Sequence, residues 1–165
     1  MADLTNLESK LAEVLGLAAA AKSATEKVKR MLDEDERDLV AVLEKMGNDA
    51  AETEQRCTEV AGTFDGKKTA ILDAGRETRQ EAEEMMKTYL TDEEEALDGF
   101  EFLTMAEAGE VGHWAIVKKL NERAENDAVA ELTDWALPIQ ESHLSSVLEN
   151  SLLLAGREDP NEIAE

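Results

Sequence analysis

The sequence predicts an all-α protein arranged as an up-and-down helical bundle, on three observations. Only two prolines and nine glycines interrupt 165 residues. β-Branched runs are scarce, and apolar residues recur at three- and four-residue steps along most of the chain. Hydrophobic residues make up 42% and charged residues 34%, a balance that supports one folded domain with a real core. With aromatics at 4%, Ala, Leu and Met must fill that core.

The elements follow in order. Thr5-Asn6-Leu7-Glu8 has the spacing of a capping box. From there Leu7, Leu11, Val14, Ala18, Ala21, Thr25 and Val28 mark a first helix to about Leu32, whose run Ala18 to Ala21 permits close helix approach. A second helix is predicted from about Glu34 to Gly62, with Leu39, Leu43, Met46, Ala50, Thr53, Cys57 and Val60 inside and a weak point at Gly47-Asn48. The segment from Gly62 to Gly66 is the clearest turn. A third helix, Lys67 to Leu90, has a charged middle. Thr91-Asp92-Glu93-Glu94 reads as a second capping box, launching the helix of Phe100, Leu103, His113, Trp114 and Val117. Asn126-Asp127 breaks and caps, and a last helix runs to Ala155, with Pro138 expected to kink it and Gly156 to stop it. One domain over residues 1–156 and a frayed acidic tail over 157–165 are expected.

A net charge of −22 argues against binding nucleic acid, whose phosphates require Lys and Arg, and against anionic membrane surfaces. It suits solubility, or a protein partner with a basic surface. Cys57 is the single cysteine, so no internal disulfide forms and a reducing, cytoplasmic compartment is expected. The first residues lack the basic and apolar regions of a secretion signal. A Gly-rich phosphate loop, a Ser-His-Asp set and a redox cysteine pair are all missing, which disfavours hydrolase and nucleotide chemistry.

What remains is polar residues on inner faces. Leu103, Glu107, Glu110, Trp114 and Val117 share one helical strip, with His113 beside it and inside the apolar arc. On the last helix Leu132, Ala136, Ile139, His143 and Asn150 share another, with Gln140 at its edge. A Glu and a His three residues apart can ligate one ion, and bundles with carboxylate-bridged iron or manganese use two such pairs plus a Glu from each remaining helix. Glu110-x-x-His113 is one such pair, and its counterpart reads Gln140-x-x-His143, a neutral amide where a carboxylate would bridge. The plainer reading makes both residues core histidines, each with a partner such as Glu110 or Gln140.

Thr25-Glu26-Lys27, Ala51-Glu52-Thr53-Glu54, Gly66-Lys67-Lys68-Thr69-Ala70-Ile71 and Val111-Gly112-His113-Trp114-Ala115-Ile116 resemble, in order and approximate spacing, the DUF892 (YciF-type) group of ferritin-like proteins. The resemblance spans about Ala20 to Ala155. It implies a ferritin-like four-helix bundle with an additional helix, often dimeric, with a di-metal centre and a stress-associated role. Glu26 and Glu52 fall where the group shows Glu, and His113 where it shows His. Gly112 and Ala115 replace carboxylates flanking that histidine, Asp49 and Arg56 stand where His is common, and Ile139-Gln140 replaces a Glu pair. Glu26 and Glu52 also lie off the apolar stripes of their helices. The expected metal site, for iron or manganese, is therefore Glu26, Glu52, Glu110, His113 and His143, in an altered or lost centre. The alternative is a non-catalytic acidic helical bundle that binds another protein; a homodimer is expected.

Overall fold

In the computed structural model, which describes residues 3–91 and 94–163, the chain forms five helices: α1 (Asn6–Lys29), α2 (Arg37–Ala61), α3 (Lys68–Tyr89), α4 (Ala96–Ala124) and α5 (Asp127–Ala155). Among the described residues there is no strand, and the all-α prediction holds.

The helix ends show why the chain breaks where it does. At the start of α1 the Thr5 hydroxyl accepts from the Glu8 N–H at 3.3 Å, and the Glu8 carboxylate accepts from the Thr5 N–H at 2.7 Å. Two backbone donors that a helix start leaves orphaned are thereby satisfied. α1 ends three residues before the predicted Leu32, because Arg30, Met31 and Leu32 bond back three residues and tighten the last turn. α2 passes Gly47-Asn48 without a break. A Cβ on Gly47 would lie 3.1 Å from Thr25 Oγ1, so this glycine serves close packing of α2 on α1.

The predicted capping box at Thr91 to Glu94 includes Asp92 and Glu93, which lie outside the described residues. α4 itself starts one step later, with Glu95 and Asp98 forming the reciprocal cap. Its end is set by Glu125 in the left-handed region (φ 52°). Asn121 closes the corner, its amide donating to the Asn126 carbonyl at 2.9 Å and its oxygen accepting from the Asn126 N–H at 3.1 Å. Asn126 then caps α5 by accepting from the Val129 N–H. α5 continues past Pro138 as one helix.

Side-chain pairs fix the helix directions. Lys22 with Glu54 and Lys29 with Glu44 set α1 and α2 antiparallel. Glu13 with His113, and Val28 against Gly99, do the same for α1 and α4. Asp49 with His143 and Glu36 with Arg157 set α2 against α5, and Lys118 with Asp134 sets α4 against α5. The four helices α1, α2, α5 and α4 thus form a closed ring of antiparallel neighbours, with α3 laid along the outer side of α1. α1 meets three helices at once, which is why Leu11, Val14, Ala18 and Val28 are all buried although they do not share one narrow stripe.

Two apolar clusters fill the ring. One, at the α4–α5 corner, gathers Leu11, Cys57, Ile71, Trp114, Val129 and Leu132. The other, at the opposite end, gathers Val28, Leu43, Met46, Phe100, Leu103 and Val147. Cys57 packs as a small hydrophobe, as predicted, and burial pushes its thiol pKa far up, with Glu110 and Glu54 adding to the effect. Between the clusters every ring helix changes character. α1 presents alanines, α2 Asp49 and Thr53, α4 Glu107 and Glu110, and α5 Gln140 and His143.

α1 and α3 approach closely where Gly16 faces Gly75. A Cβ on Gly16 would lie 2.3 Å from the Gly75 carbonyl oxygen and 2.7 Å from Thr78 Cβ. Gly16→Ala is therefore expected to destabilise by about 1–3 kcal/mol through overpacking. A Cβ on Gly109 meets nothing within 4 Å, so Gly109→Ala should stabilise by about 0.5–1 kcal/mol. Urea denaturation of the two variants checks both signs.

Candidate functional site

Glu107 and Glu110 stand three residues apart on α4, and Gln140 and His143 three apart on α5, so each pair projects from one helical face. The antiparallel contact of α4 with α5 brings the two faces together. Gln140 Nε2 donates to Glu110 Oε2 at 2.6 Å and to Glu107 Oε2 at 3.4 Å. One amide thus lies between two carboxyl groups. His143 adds the next link: Nδ1 is 3.5 Å from Glu107 Oε2, and Nε2 is 2.8 Å from Asp49 Oδ2 on α2. Lys45 reaches the same Asp49 oxygen at 2.5 Å from the solvent side. The result is a continuous chain, Lys45–Asp49–His143–Glu107–Gln140–Glu110, crossing from the surface to the bundle centre.

Burial decides how this chain is charged. Glu107, Glu110, Gln140 and His143 are each at most 5% exposed. Burial pushes the Glu110 pKa well above the usual carboxyl range, and the neighbouring Glu107 charge pushes the same way, against a smaller opposing effect of the Gln140 hydrogen bond. Burial opposes the charged form of His143, but the carboxylates of Glu107 and Asp49 together outweigh it, so the imidazole pKa is raised. Burial also works against the Asp49 charge, yet Lys45 and His143 hold its pKa below the ordinary value. The surroundings thus favour the charged form of His143, between Glu107 and Asp49, and the protonated form of Glu110 beyond the amide.

Of the five predicted site residues the structure brings Glu110 and His143 into this layer. His113 does not join them. It points at α1, with Nδ1 3.0 Å from Glu13 Oε2, and its side chain is 37% exposed. That approach lies outside hydrogen-bonding direction, since Nδ1 has no hydrogen-bond partner among the described residues. Its carboxylate neighbour is also shared with Lys10. The reason is one of angle: Glu110 and Trp114 occupy the centre of the buried strip, which leaves His113 at the boundary. Glu26 and Glu52 stand on the outer surface, paired with Lys29 at 2.8 Å and Arg56 at 2.7 Å. Arg56 spends its remaining planar face on Trp135, 4.1 Å from the ring centre.

Three members of the layer were absent from the predicted set. Glu107 was visible on the Glu110 strip. Gln140 was placed at the edge of its strip, but it is buried, while Ile139 and Asn150 take the boundary. The inward turn goes with its two carboxyl partners, to which the amide donates. Asp49 lies between Met46 and Thr53 on the inner stripe of α2, and that spacing, with its place where the resembled group commonly has His, was its signal.

The donor set does not fit a di-metal centre. Both nitrogens of His143 are turned to carboxylates, a neutral amide fills the space between Glu107 and Glu110, and α1 offers alanine at this height. Among the described residues no group of three or more His, Cys, Asp or Glu side chains is arranged to hold a metal ion. No family model, curated protein or solved structure matches the chain.

The layer predicts a distinct pH profile. His143 and Glu110 both have raised folded-state pKa values, so each binds its proton more tightly in the folded state than in the unfolded chain. Their contributions are present at low pH and are lost as pH rises, for Glu110 from about pH 4.5 upwards and for His143 from about pH 6.5 upwards. Asp49 acts oppositely, losing its contribution as pH falls through about 4 and below. Urea stability should therefore decline from pH 6 to 9. His143→Ala should lower it by about 3 kcal/mol at pH 6, because Glu107 is left buried without its counter-charge. Glu110→Gln should flatten the decline and gain on the native chain as pH rises.

Proposed function

We propose that the chain is a non-catalytic ferritin-like bundle in which a hydrogen-bonded charge network stands where a di-metal centre would lie, and that it acts by binding other molecules. The observation that carries this is Gln140, whose amide is held between Glu107 and Glu110 while His143 is clasped by Glu107 and Asp49. The level is the one expected of a metal site, midway along a closed four-helix ring, but the groups there satisfy one another. A balanced set of this kind fixes helix alignment and leaves no lone pairs converging on an ion.

The ferritin-like assignment is supported by the ring of α1, α2, α4 and α5 and by the motif resemblance. A homodimer, a cytoplasmic location and a stress-associated role belong to the same proposal, on that resemblance and on the single cysteine. The net charge of −22 favours a protein partner with a basic surface over nucleic acid. No helix among the described residues is long and apolar enough to cross a membrane.

The second reading, weak binding of iron or manganese through Glu110 and His143, is kept open by the two carboxyl groups on α4 and is separated by experiment. Protein purified without chelator is expected to carry only substoichiometric iron and manganese, and Mn(II) titration should show no saturable site. Gln140→Glu, which removes the amide donor and adds a carboxylate opposite Glu110, should create Mn(II) affinity. A native site that saturates with Mn(II) and is lost in His143→Ala would show that the network reading is wrong.

A further inference from the structure

Beside the polar layer lies a cleft with a volume of about 220 Å³, bounded by α1, α3 and α4. Its walls are hydrocarbon, chiefly Ala20, Ala24, Met85, Met86, Phe102 and Met105. Two features of the fold create the space. α1 presents Ala20, Ala21 and Ala24 here, with Leu17 the only larger side chain it adds, and α3 leans on α1 rather than on α4. Glu107, Glu110 and His113 close the α4 side, and Glu83 stands on the α3 side, held by Arg79 and Ser23. Among the described residues lining the cleft there is no Lys or Arg.

We propose that this cleft binds a small apolar molecule carrying one ammonium group, its hydrocarbon against the alanine and methionine walls and its cation at Glu110. The inference rests on the network reading, in which Glu110 serves no ion. Size is adequate, since the cleft exceeds the engineered apolar cavity of about 150 Å³ that takes up benzene. Methionine walls adapt to varied hydrocarbon shapes. Charge selects the sign: an anion would meet three carboxyl groups with no Lys or Arg in the lining to receive it. A few polar groups converging on an apolar pocket are the usual anatomy of a small-molecule site.

Glu110 faces Glu107 on its own helix, Gln140 from α5 and the neutral Cys57 thiol from α2. His143 and Asp49 lie beyond Glu107, His113 lies beside Glu13 of α1, and Glu83 with Arg79 stand on α3. An ammonium at the inner end of the cleft has the Glu110 carboxyl oxygen as its acceptor, with the hydrocarbon of α1, α3 and α4 around the rest of the molecule.

Isothermal titration of the full chain with 2-phenylethylamine and with neutral 2-phenylethanol at pH 7 tests this. The amine should bind about tenfold more tightly than the alcohol, a difference of about 1.4 kcal/mol. Glu110→Gln should remove the preference. Ala21→Leu, which fills the cleft away from the network, should abolish binding of both ligands while the far-UV spectrum and melting temperature hold. Equal affinity for amine and alcohol, a preference surviving Glu110→Gln, or no amine binding would overturn the inference. A parallel Mn(II) titration keeps the two proposals apart: saturable Mn(II) binding defeats the network reading, whereas silence towards both Mn(II) and amine defeats the cleft alone.

Discussion

Two carboxyl groups on neighbouring turns of one buried helix face impose the constraint that the rest of this bundle meets. Glu107 and Glu110 cannot both ionise in hydrocarbon without a counter-charge, and neither can be left without a donor. The fold answers with α5. Gln140 gives its amide to both, and His143 brings a positive charge that a second carboxylate, Asp49, secures from the other side. Three helices are thus joined by one chain of polar contacts. Its outer end is anchored in solvent by Lys45, where ion pairing is weakly stabilising by itself but keeps Asp49 ionised.

α1 takes part by omission. It packs against three other helices, yet between its two apolar ends it offers alanine to the polar level. Small side chains let α3 approach until Gly16 and Gly75 meet backbone to backbone. The same small side chains leave the cleft on the α4 side. Close packing on one flank and open volume on the other come from a single stretch of sequence.

Much of this architecture was legible in the residues. Helix positions follow from three- and four-residue spacing, and the Thr5 box and Asn126 cap mark their ends through local bonding that needs no tertiary information. The α4 strip with Glu107 and Glu110 was readable for the same reason. Which way α5 is turned was not, because Gln140 and Ile139 differ by one residue and only the carboxyls of α4 decide between them. His113 shows the converse: a histidine within a wide apolar arc was read as interior, while Trp114 beside it took the central position. Glu26 and Glu52, carried over from a motif resemblance, stand where their helices' own periodicity had placed them, on the solvent side.

The two hydrocarbon clusters are separated by a layer whose members recognise one another by type and position. In a bundle of alanine and leucine alone, a helix can slide by a turn, about 5.4 Å, and find nearly equivalent packing. Here such a slide would break the contacts of Gln140 with Glu107 and Glu110 and of His143 with Asp49 together. The mid-level polar chain therefore acts as an indexing pin: of the many ways four similar rods can be laid side by side, it leaves one in which every inner charge is answered.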